Sequence, residues 1–470
     1  MQPEVDGAPR FRFNLCPFCA APMAKNSTPI TVVILAAGLG KRMKSDKPKV
    51  LAPACGRPMI SWVLDAAAAL APTRILLVVG HGKELVAAAL ESSGQAKGVT
   101  LVHQKEQLGT GHAVQVCLPQ LKKSAGRVVV LYGDMPLLGT ATLQSLVELQ
   151  ARAAEGGAAI LTACPDNARG FGRVLRGPNG SVERIVEEKD CTPAQKAIEE
   201  VNTGVYVFDG KALVDALPRL SNDNAQKEYY LTDVVAMLAA SGLPVVAHET
   251  EELDEIIGVN NLVHLSEARW ALQQRILEQH LLNGVSIEDP ATATIDHGVE
   301  IGAGTRILPY TVIRAGVKIG AHCEVGPFTH LRTGTVLEDG AEIGNFTECK
   351  NAHVGQHTKA KHLAYLGDVT LGARANVGAG TIFANYDGKL KHKSVVGDGA
   401  FLGSGTVVVA PNTIGKRATT GAGAVLTRAS AVGEGEVWVG VPARRLERKK
   451  AGAKSAPKAQ SKTRSKARER

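Results

Sequence analysis

The stretch TIDHGVEIGAGTRILPYTVIRAGVKIGAHCEVGPFTHLRTGTVLEDGAEIGN, residues 294–345, carries an aliphatic side chain at every sixth position. The positions are Ile295, Ile301, Ile307, Ile313, Ile319, Val325, Leu331, Leu337 and Ile343, and glycine directly follows Ile301, Ile319, Val325 and Ile343. A helix repeats near 3.6 residues and a strand near 2, so neither accounts for a period of six. A chain that turns a corner every six residues does, with each aliphatic pointing inward at the same place. The pattern resumes at Val396, Leu402, Val408, Ile414 and Leu426, with Thr420 filling one slot. Roughly the last third of the chain therefore reads as a parallel β-helix of hexapeptide repeats.

At 470 residues the chain exceeds the size at which one core stops growing, so two domains are expected. No apolar run reaches the length of a membrane span. The net charge of +9 is not spread over the protein. Residues 447–470 hold ten Lys/Arg and two Glu, a net +8, which leaves the rest of the chain near neutral. That tail lacks large apolar residues and cannot offset its ordering entropy, so it is expected to be disordered. A basic end of this kind solubilises or weakly attracts polyanions, and gives no reason to expect a specific nucleic-acid partner. Eight scattered cysteines and the lack of a secretory pattern suit a reducing cytoplasm. Cys16 and Cys19 form the one CxxC pair, and no second pair follows at the spacing a zinc site needs. Met23 opens a short leader to the first strand, so residues 1–22 are either an extension or a misplaced start.

Residues 30–36 (ITVVILA) read as a buried strand, followed by AAGLGKRM at 36–43. Gly38 and Gly40 let the backbone turn and approach phosphate oxygens with N–H donors. Lys41, Arg42, Lys47 and Lys49 put cations on the same loop. The loop is neither a dinucleotide fingerprint, since Met43 stands where the third glycine belongs, nor a P-loop, since no Gly-Lys-Ser/Thr closes it. Further strands are read at 75–80 and 128–134, the latter ending on Asp134. A carboxylate there lies where open parallel sheets bind ligands, and is a metal-ligand candidate. QKEQLGTGHA at 104–113 supplies another glycine turn suited to reading a base or sugar.

The motifs LAAGLGKRMKSDKPKVL (35–51), EQLGTGHA (106–113), LYGDMPLL (131–138), GFGRV (170–174), IVEEKD (185–190), NTGVYVF (202–208), NAQKEYYLTD (224–233) and GVNN (258–261) follow one another in order. Their succession resembles the nucleotidyltransferase half of the bacterial bifunctional N-acetylglucosamine-1-phosphate uridyltransferase/glucosamine-1-phosphate acetyltransferases. The hexapeptide domain resembles the other half, and the likeness covers about residues 30–445. It implies an α/β Rossmann-like nucleotidyltransferase domain and a left-handed parallel β-helix. The expected boundaries are an extension at 1–28, the α/β domain at 29–258, a linker helix at 259–284, the β-helix at 285–446 and the tail at 447–470.

By that resemblance Arg42 and Lys49 steady the phosphates of UTP, and Asp134 and Asn260 hold Mg²⁺, a cation that prefers oxygen. Leu35, Ala36, Ala37, Gly38, Gln104, Gly109 and Thr110 contact the uridine part. Gly172, Glu187 and Asn202 bind the amino sugar, and Tyr132 and Gly133 complete the substrate-binding set. Lys41 departs from the family, which usually has a small hydroxyl residue there; this bears only on the loop's affinity.

In the second domain the repeat slips by one residue between Cys349 and Val354, and residues 383–395 read as an extruded loop. His353, His357 and His362 cluster near the slip beside Lys350, Lys359 and Lys361, whose charges oppose a dication. The context KAKHLAYLGD (359–368) matches the family's acetyltransferase motif. The resemblance makes His362 the general base, with Arg332 and Lys350 on the sugar phosphate. Tyr365, Asn376, Asn385 and Tyr386 frame the sugar and acyl group; Ala379, Ser404 and Ala422 line the acetyl-CoA groove. Gly440 stands where the family usually has an arginine, leaving Arg444 or Arg445 as substitutes. The family also implies a homotrimer with acetyl-transfer sites between neighbours. Two rival readings are a nucleotidyltransferase whose β-helix is a non-catalytic, regulatory or oligomerising module and a non-enzymatic protein acting through its basic tail. His362 with Asn385-Tyr386 opposes the first, and Arg42, Lys49 and Asp134 around a glycine loop oppose the second.

Overall fold

The computed structural model describes residues 28–447 apart from 39, 124, 125 and 154 and the side chain of Lys41. The Cys16/Cys19 pair, the extension through residue 27 and the tail beyond Glu447 lie outside the described residues. The chain divides into two units, Met1–Glu278 and Gln279–Arg470.

The first unit is built on a nine-stranded sheet. Its strands are β1 (Ile30–Ala36), β2 (Arg74–Val79), β3 (Val99–His103), β4 (Arg127–Tyr132), β5 (Ala158–Ala163), β6 (Gly172–Arg176), β7 (Val182–Val186), β8 (Val201–Asp209) and β9 (Val245–Glu249). Seven of them run in the order β9-β5-β8-β4-β1-β2-β3, and the β6–β7 hairpin branches off β8. β1 lies parallel to both β2 and β4, while β8 runs antiparallel to β4 and β5. The run ITVVILA is apolar at nearly every position because β1 is covered on both faces. Val32 and Ile34 pack with Ile60, Leu64, Leu143 and Leu146 of two helices on one side. Val33 and Leu35 pack with Val114, Leu213 and Val234 on the other. Burial on both sides leaves the carboxyl ends of β1 and β4 as the open rim, and both chains leave that rim in loops.

The linker helix expected over 259–284 runs Leu262–Leu282. It begins where Asn261 Oδ1 accepts from His264 N at 2.9 Å, an N-cap bond. It ends before Gly284, whose φ of +84° suits a left-handed stop. Leu265, Ala268, Ala271 and Leu272 pack against Met43, Met59, Leu137 and Val259. Arg275 Nη1 donates to the Leu137 carbonyl at 2.7 Å. The helix thereby braces the segment that delivers Asn260 to the rim.

The second unit is a left-handed parallel β-helix whose strands alternate among three sheets of ten, eight and seven strands, parallel throughout except for the final hairpin of the ten-stranded sheet. The predicted inward positions are buried from Ile295 to Ile343, save Ile301, which is half-buried in the first strand of its sheet. After the slip the slots continue as Val354, Ala360, Leu366, Leu371, Val377 and Phe383, all buried. A second slip, unread in the sequence, separates Leu366 from Leu371 by five residues. Thr420 is tolerated inside because Gly403 N donates to its hydroxyl at 3.0 Å and Thr406 Oγ1 lies 2.8 Å away.

Successive coils stack at the strand spacing of about 4.8 Å, which leaves no room for a side chain at certain corners. A Cβ on Gly344 would lie 1.9 Å from the Lys361 carbonyl oxygen. Gly344→Ala should therefore destabilise the β-helix by about 1–3 kcal/mol through overpacking, read as a lower denaturation midpoint. An unchanged midpoint would show that the coils can part at no cost.

Candidate active sites

The rim of the first unit holds two adjoining clefts. The smaller, about 270 Å³, is lined by Leu35, Ala36, Ala37, Gly38, Lys49, Gln104, Gly109, Thr110, Tyr132 and Asp134. The structure thus brings the residues matched to the uridine contacts into one recess. Their positions follow from local bonding. Gln104 is buried, with Nε2 bonded to the Gly109 carbonyl at 3.2 Å and close to His112 Nδ1 at 3.1 Å. Thr110 Oγ1 accepts from Leu231 N at 3.1 Å. Gly109 needs its φ of +107°, and a Cβ there would meet the Tyr229 carbonyl at 2.5 Å. Gly133 lies at the end of β4, where its N–H bonds the Leu35 carbonyl at 2.9 Å.

The larger cleft, about 610 Å³, is lined by Arg42, Tyr132, Asp134, Gly172, Glu187, Asn202 and Asn260 among others. Asn202 Nδ2 donates to Tyr206 Oη at 2.7 Å, and Glu187 Oε1 accepts from Thr232 Oγ1 at 3.1 Å. Burial pushes the Glu187 carboxyl above the ordinary carboxylate range; the Thr232 hydroxyl opposes this, and Asp190, Asp233 and Glu228 add to it. Burial also raises Tyr132, next to Glu187 and Asp134. Arg169, His264 and Glu267 are among the lining residues of this cleft that were not singled out in the sequence. Arg169 immediately precedes the matched GFGRV stretch, while His264 and Glu267 are brought in by the helix after GVNN.

Where the clefts meet, Arg42 Nη2 donates to Asn260 Oδ1 at 2.9 Å. Lys49 Nζ is paired with Asp134 Oδ2 and lies 3.3 Å from Asn260 Oδ1. Asp134 and Asn260 are tied together by Val259 N, which donates to the Asp134 carbonyl at 2.9 Å. Two hard oxygen donors converging on one cation is the environment a divalent metal needs. Among the described residues no group of three or more His, Cys, Asp or Glu gathers anywhere. A cation held here would have to complete its shell with phosphate oxygens and water, the habit of metals that serve nucleoside triphosphates.

On the β-helix, one edge runs through the turns between the ten-stranded and eight-stranded sheets. Its residues are linked coil to coil: Phe346 N bonds the Phe328 carbonyl, Leu363 N that of Asn345, and Gly380 N that of Leu363. Gly405 N then bonds Ala379, and Gly423 N bonds Ser404. The first half of this edge is aromatic, with Tyr310, Phe328 and Phe346 stacked at centroid distances of 4.8 and 5.3 Å. The second half is small, with Ala379, Ser404 and Ala422 each between glycines. His362 lies at the junction. Its Nδ1 is 3.0 Å from Asn345 Oδ1; with a carbonyl oxygen as acceptor, Nδ1 carries the proton and Nε2 is left as the base. Asn345, paired in register with His362, escaped the sequence reading.

The adjoining face carries Arg332, bonded to Glu348 Oε1 at 2.7 Å, and Lys350. The Lys350 ammonium is pushed below its usual range by Lys391 beside it, then by Arg332. Asn385 is buried and donates to Asp368, which also accepts from Asn351 Nδ2 at 2.6 Å. Asn376 and Tyr365 are half-buried on their strands, whereas Tyr386 is exposed on the extruded loop. His353 joins Glu338 at 2.7 Å on another face, and neither it nor His357 shares the surroundings of His362. Gly440 has a φ of +92° in the hairpin between Val437–Val439 and Arg444–Arg445. Of its two candidate substitutes, Arg445 is engaged with Glu436 at 3.2 Å and Arg444 with the Ala443 carbonyl at 3.0 Å.

An α/β unit with a nucleotide-sized rim and a β-helix with its own histidine make a two-site transferase. Residues 32–239 match the MobA-like NTP transferase domain, and residues 298–333 match six repeats of the bacterial transferase hexapeptide. Three similar proteins each bear the name "Bifunctional protein GlmU". That of Bordetella parapertussis is 43% identical over 443 residues, spanning 86% of this chain and 95% of that protein. That of Bordetella petrii is 46% identical over 441 residues, with the same two shares, 86% and 95%. That of Neisseria meningitidis serogroup B is 42% identical over 434 residues, spanning 85% and 93%. The chain belongs to the bifunctional GlmU family.

Glu187 also makes a pH-dependent contribution to stability. Its raised pKa means the folded state keeps the proton to higher pH than the unfolded chain. Stability is therefore lost as pH rises from the unfolded pKa through the folded one. Glu187→Gln, which retains an acceptor for Thr232, should raise the thermal midpoint at about pH 8 and change it little near pH 4. Equal shifts at both would show that the carboxyl is not held abnormally.

Proposed function

We propose that the chain makes UDP-N-acetylglucosamine in two steps at two separate sites. The β-helix acetylates glucosamine 1-phosphate with acetyl-CoA. The α/β unit then transfers UMP from UTP to N-acetylglucosamine 1-phosphate and releases pyrophosphate. The observation that carries this reading is the pair of constellations: Arg42, Lys49, Asp134 and Asn260 meeting at the α/β rim, and His362 with its Nδ1 set against Asn345 Oδ1 on the β-helix.

For uridylyl transfer the protein does little covalent work. A phosphate oxygen of the sugar phosphate attacks the α-phosphorus of UTP, and the bond to the bridging oxygen of pyrophosphate breaks. Arg42 and Lys49 carry the triphosphate's charge, and the small cleft holds the uridine in line. Asp134 and Asn260 would hold Mg²⁺, which supplies further neutralisation of phosphate charge when bound. Glu187, Asn202 and Gly172 bind the amino sugar in the larger cleft. Tyr132 lines both clefts, and Gly133 links it to Asp134 at the end of β4.

For acetyl transfer the glucosamine nitrogen attacks the thioester carbonyl, and the carbon–sulfur bond breaks to leave coenzyme A. His362 Nε2 takes the proton the amine loses, and Asn345 fixes the ring so that this nitrogen is the acceptor. Arg332 and Lys350 hold the sugar phosphate, Arg332 being aimed by Glu348. Tyr365, Asn376, Asn385 and Tyr386 frame the sugar and acyl group. Ala379, Ser404 and Ala422 give acetyl-CoA a groove free of bulky side chains. No helix among the described residues is long and apolar enough to cross a membrane, and we place the enzyme in the cytoplasm, with small molecules as substrates.

We also propose a homotrimer. Tyr310, Phe328, Phe346 and Leu363 are 54, 48, 57 and 62% exposed along one edge, an apolar strip that neighbouring copies would cover. Phe328→Glu should dissociate the assembly and depress acetylation while sparing uridylyl transfer. Light scattering that finds a fully active monomer would end the trimer reading.

The two activities should separate by mutation in an assay with glucosamine 1-phosphate, acetyl-CoA, UTP and Mg²⁺. Asp134→Ala should abolish pyrophosphate release while free thiol still accumulates. His362→Ala should cut thiol release about 10²–10⁴-fold and leave uridylyl transfer from supplied N-acetylglucosamine 1-phosphate intact. If a folded His362→Ala protein acetylates normally, the β-helix is a structural or oligomerising module of a nucleotidyltransferase.

A further inference from the structure

The extruded loop that follows Ile382–Ala384 is closed on itself. Its stem is a bridge between Tyr386 and Lys391, and His392 N donates to the Asn385 carbonyl at 2.8 Å. Asp387 Oδ1 accepts from Lys389 N and Leu390 N at 2.9 and 2.8 Å. Tyr386 Oη donates to the Gly388 carbonyl at 2.6 Å. These bonds make the loop rigid but do not aim it.

Attractive contacts reach outside the loop at its root and at its tip. At the root, Asn385 is bonded to Asp368 in the preceding coil. At the tip, Asp387 Oδ2 lies 2.6 Å from His392 Nε2 and 3.7 Å from Arg428 Nη2, which is itself 2.9 Å from His392 Nε2. Arg428 follows Val425–Leu426, whose strand is two places further along the eight-stranded sheet than Ile382–Ala384. The tip is thus tied across about 10 Å of stacked coils. The Asp387 carboxyl is held far below the usual range by the Leu390 N–H first, then by His392, so it stays ionised and available to Arg428. A force opposes this position: Lys391 lies against Lys350, and the like charges lower the Lys350 pKa. Without the tie, repulsion would favour a loop that swings away from the face carrying Arg332 and Lys350.

We infer that Arg428, through Asp387 and His392, is a positioning residue for acetyl transfer that holds the loop bearing Asn385 and Tyr386 over the site. The inference rests on the acetyltransferase reading above. Arg428 touches no reacting atom; it prepays the ordering of the loop, so its loss should appear in substrate binding.

The test is steady-state acetylation by the full-length protein and its R428A, D387A, R428A/D387A and R428K variants, with uridylyl transfer from each preparation as a control. R428A should raise KM for glucosamine 1-phosphate about tenfold with kcat within about threefold. R428K should recover most of the loss, and the double variant should be no worse than either single one, as expected for partners in one contact. Uridylyl transfer and the thermal midpoint should not move. The inference is overturned if R428A leaves KM within about twofold of the parent, or if the losses in D387A and R428A multiply. A parent protein that acetylates nothing would instead overturn the reading on which the inference rests.

Discussion

The main-chain ladder of the β-helix governs what the second unit can be. Every coil must hydrogen-bond to the one before it, so each inward slot and each corner is fixed to within the strand spacing of about 4.8 Å. The slots must therefore be filled from within the stack, as by Ile307, Ile313, Val325 and Leu331, all fully buried. Corners such as Gly344 must carry no side chain at all. In return the ladder makes a ruler: residues about eighteen apart lie over one another, and groups far apart in sequence are held at a set height. Asn345 and His362 are paired by that rule.

In the first unit the organising force is electrostatic. β1 and β4 are buried on both faces, so the charged groups at their ends can emerge only at the rim. There Lys49 is opposed by Asp134 and Asn260, and Arg42 by Asn260. This arrangement keeps two oxygen donors and two cationic side chains within one hydrogen-bonded group. A triphosphate and its metal would exchange partners with groups already in place rather than gather them. Preorganisation of that kind is where enzymes of phosphoryl chemistry find most of their advantage.

The β-helix was legible because its period is unlike any other secondary structure, and the α/β unit because ITVVILA and VVVLYGD are strands whose flanking glycines and charges name their ends. The linker helix was placed to within three residues, since Asn261 caps it and Gly284 stops it. What escaped was whatever depends on register between distant segments. The second slip, at 366–371, is hidden because a five-residue spacing breaks the period and only the stacking shows that Leu366 and Leu371 both fill inward slots. Asn345 looks like a turn residue until the ladder lays it beside His362. Arg169, His264 and Glu267 have no motif of their own and enter the larger cleft only because neighbouring motifs carry them there.

The irregularities themselves point to function. A solenoid with an unbroken repeat presents three flat faces and has nowhere to converge side chains. Here the two slips, at 349–354 and 366–371, and the break after Phe383 all fall within the span that carries Lys350, His362, Tyr365 and Asn385. Each slip shortens a turn and each left-handed residue at a corner, such as Leu363 at +43° or Asp368 at +50°, costs backbone energy that a glycine would avoid. From Ile295 to Cys349 and again from Val396 to Leu426 the six-residue rule holds. Left-handed corners without glycine recur along the whole β-helix, as at Tyr310, His322 and Arg417, so what sets apart the coils where Asn345 meets His362 and Asp368 meets Asn385 is the change of spacing and not the strain.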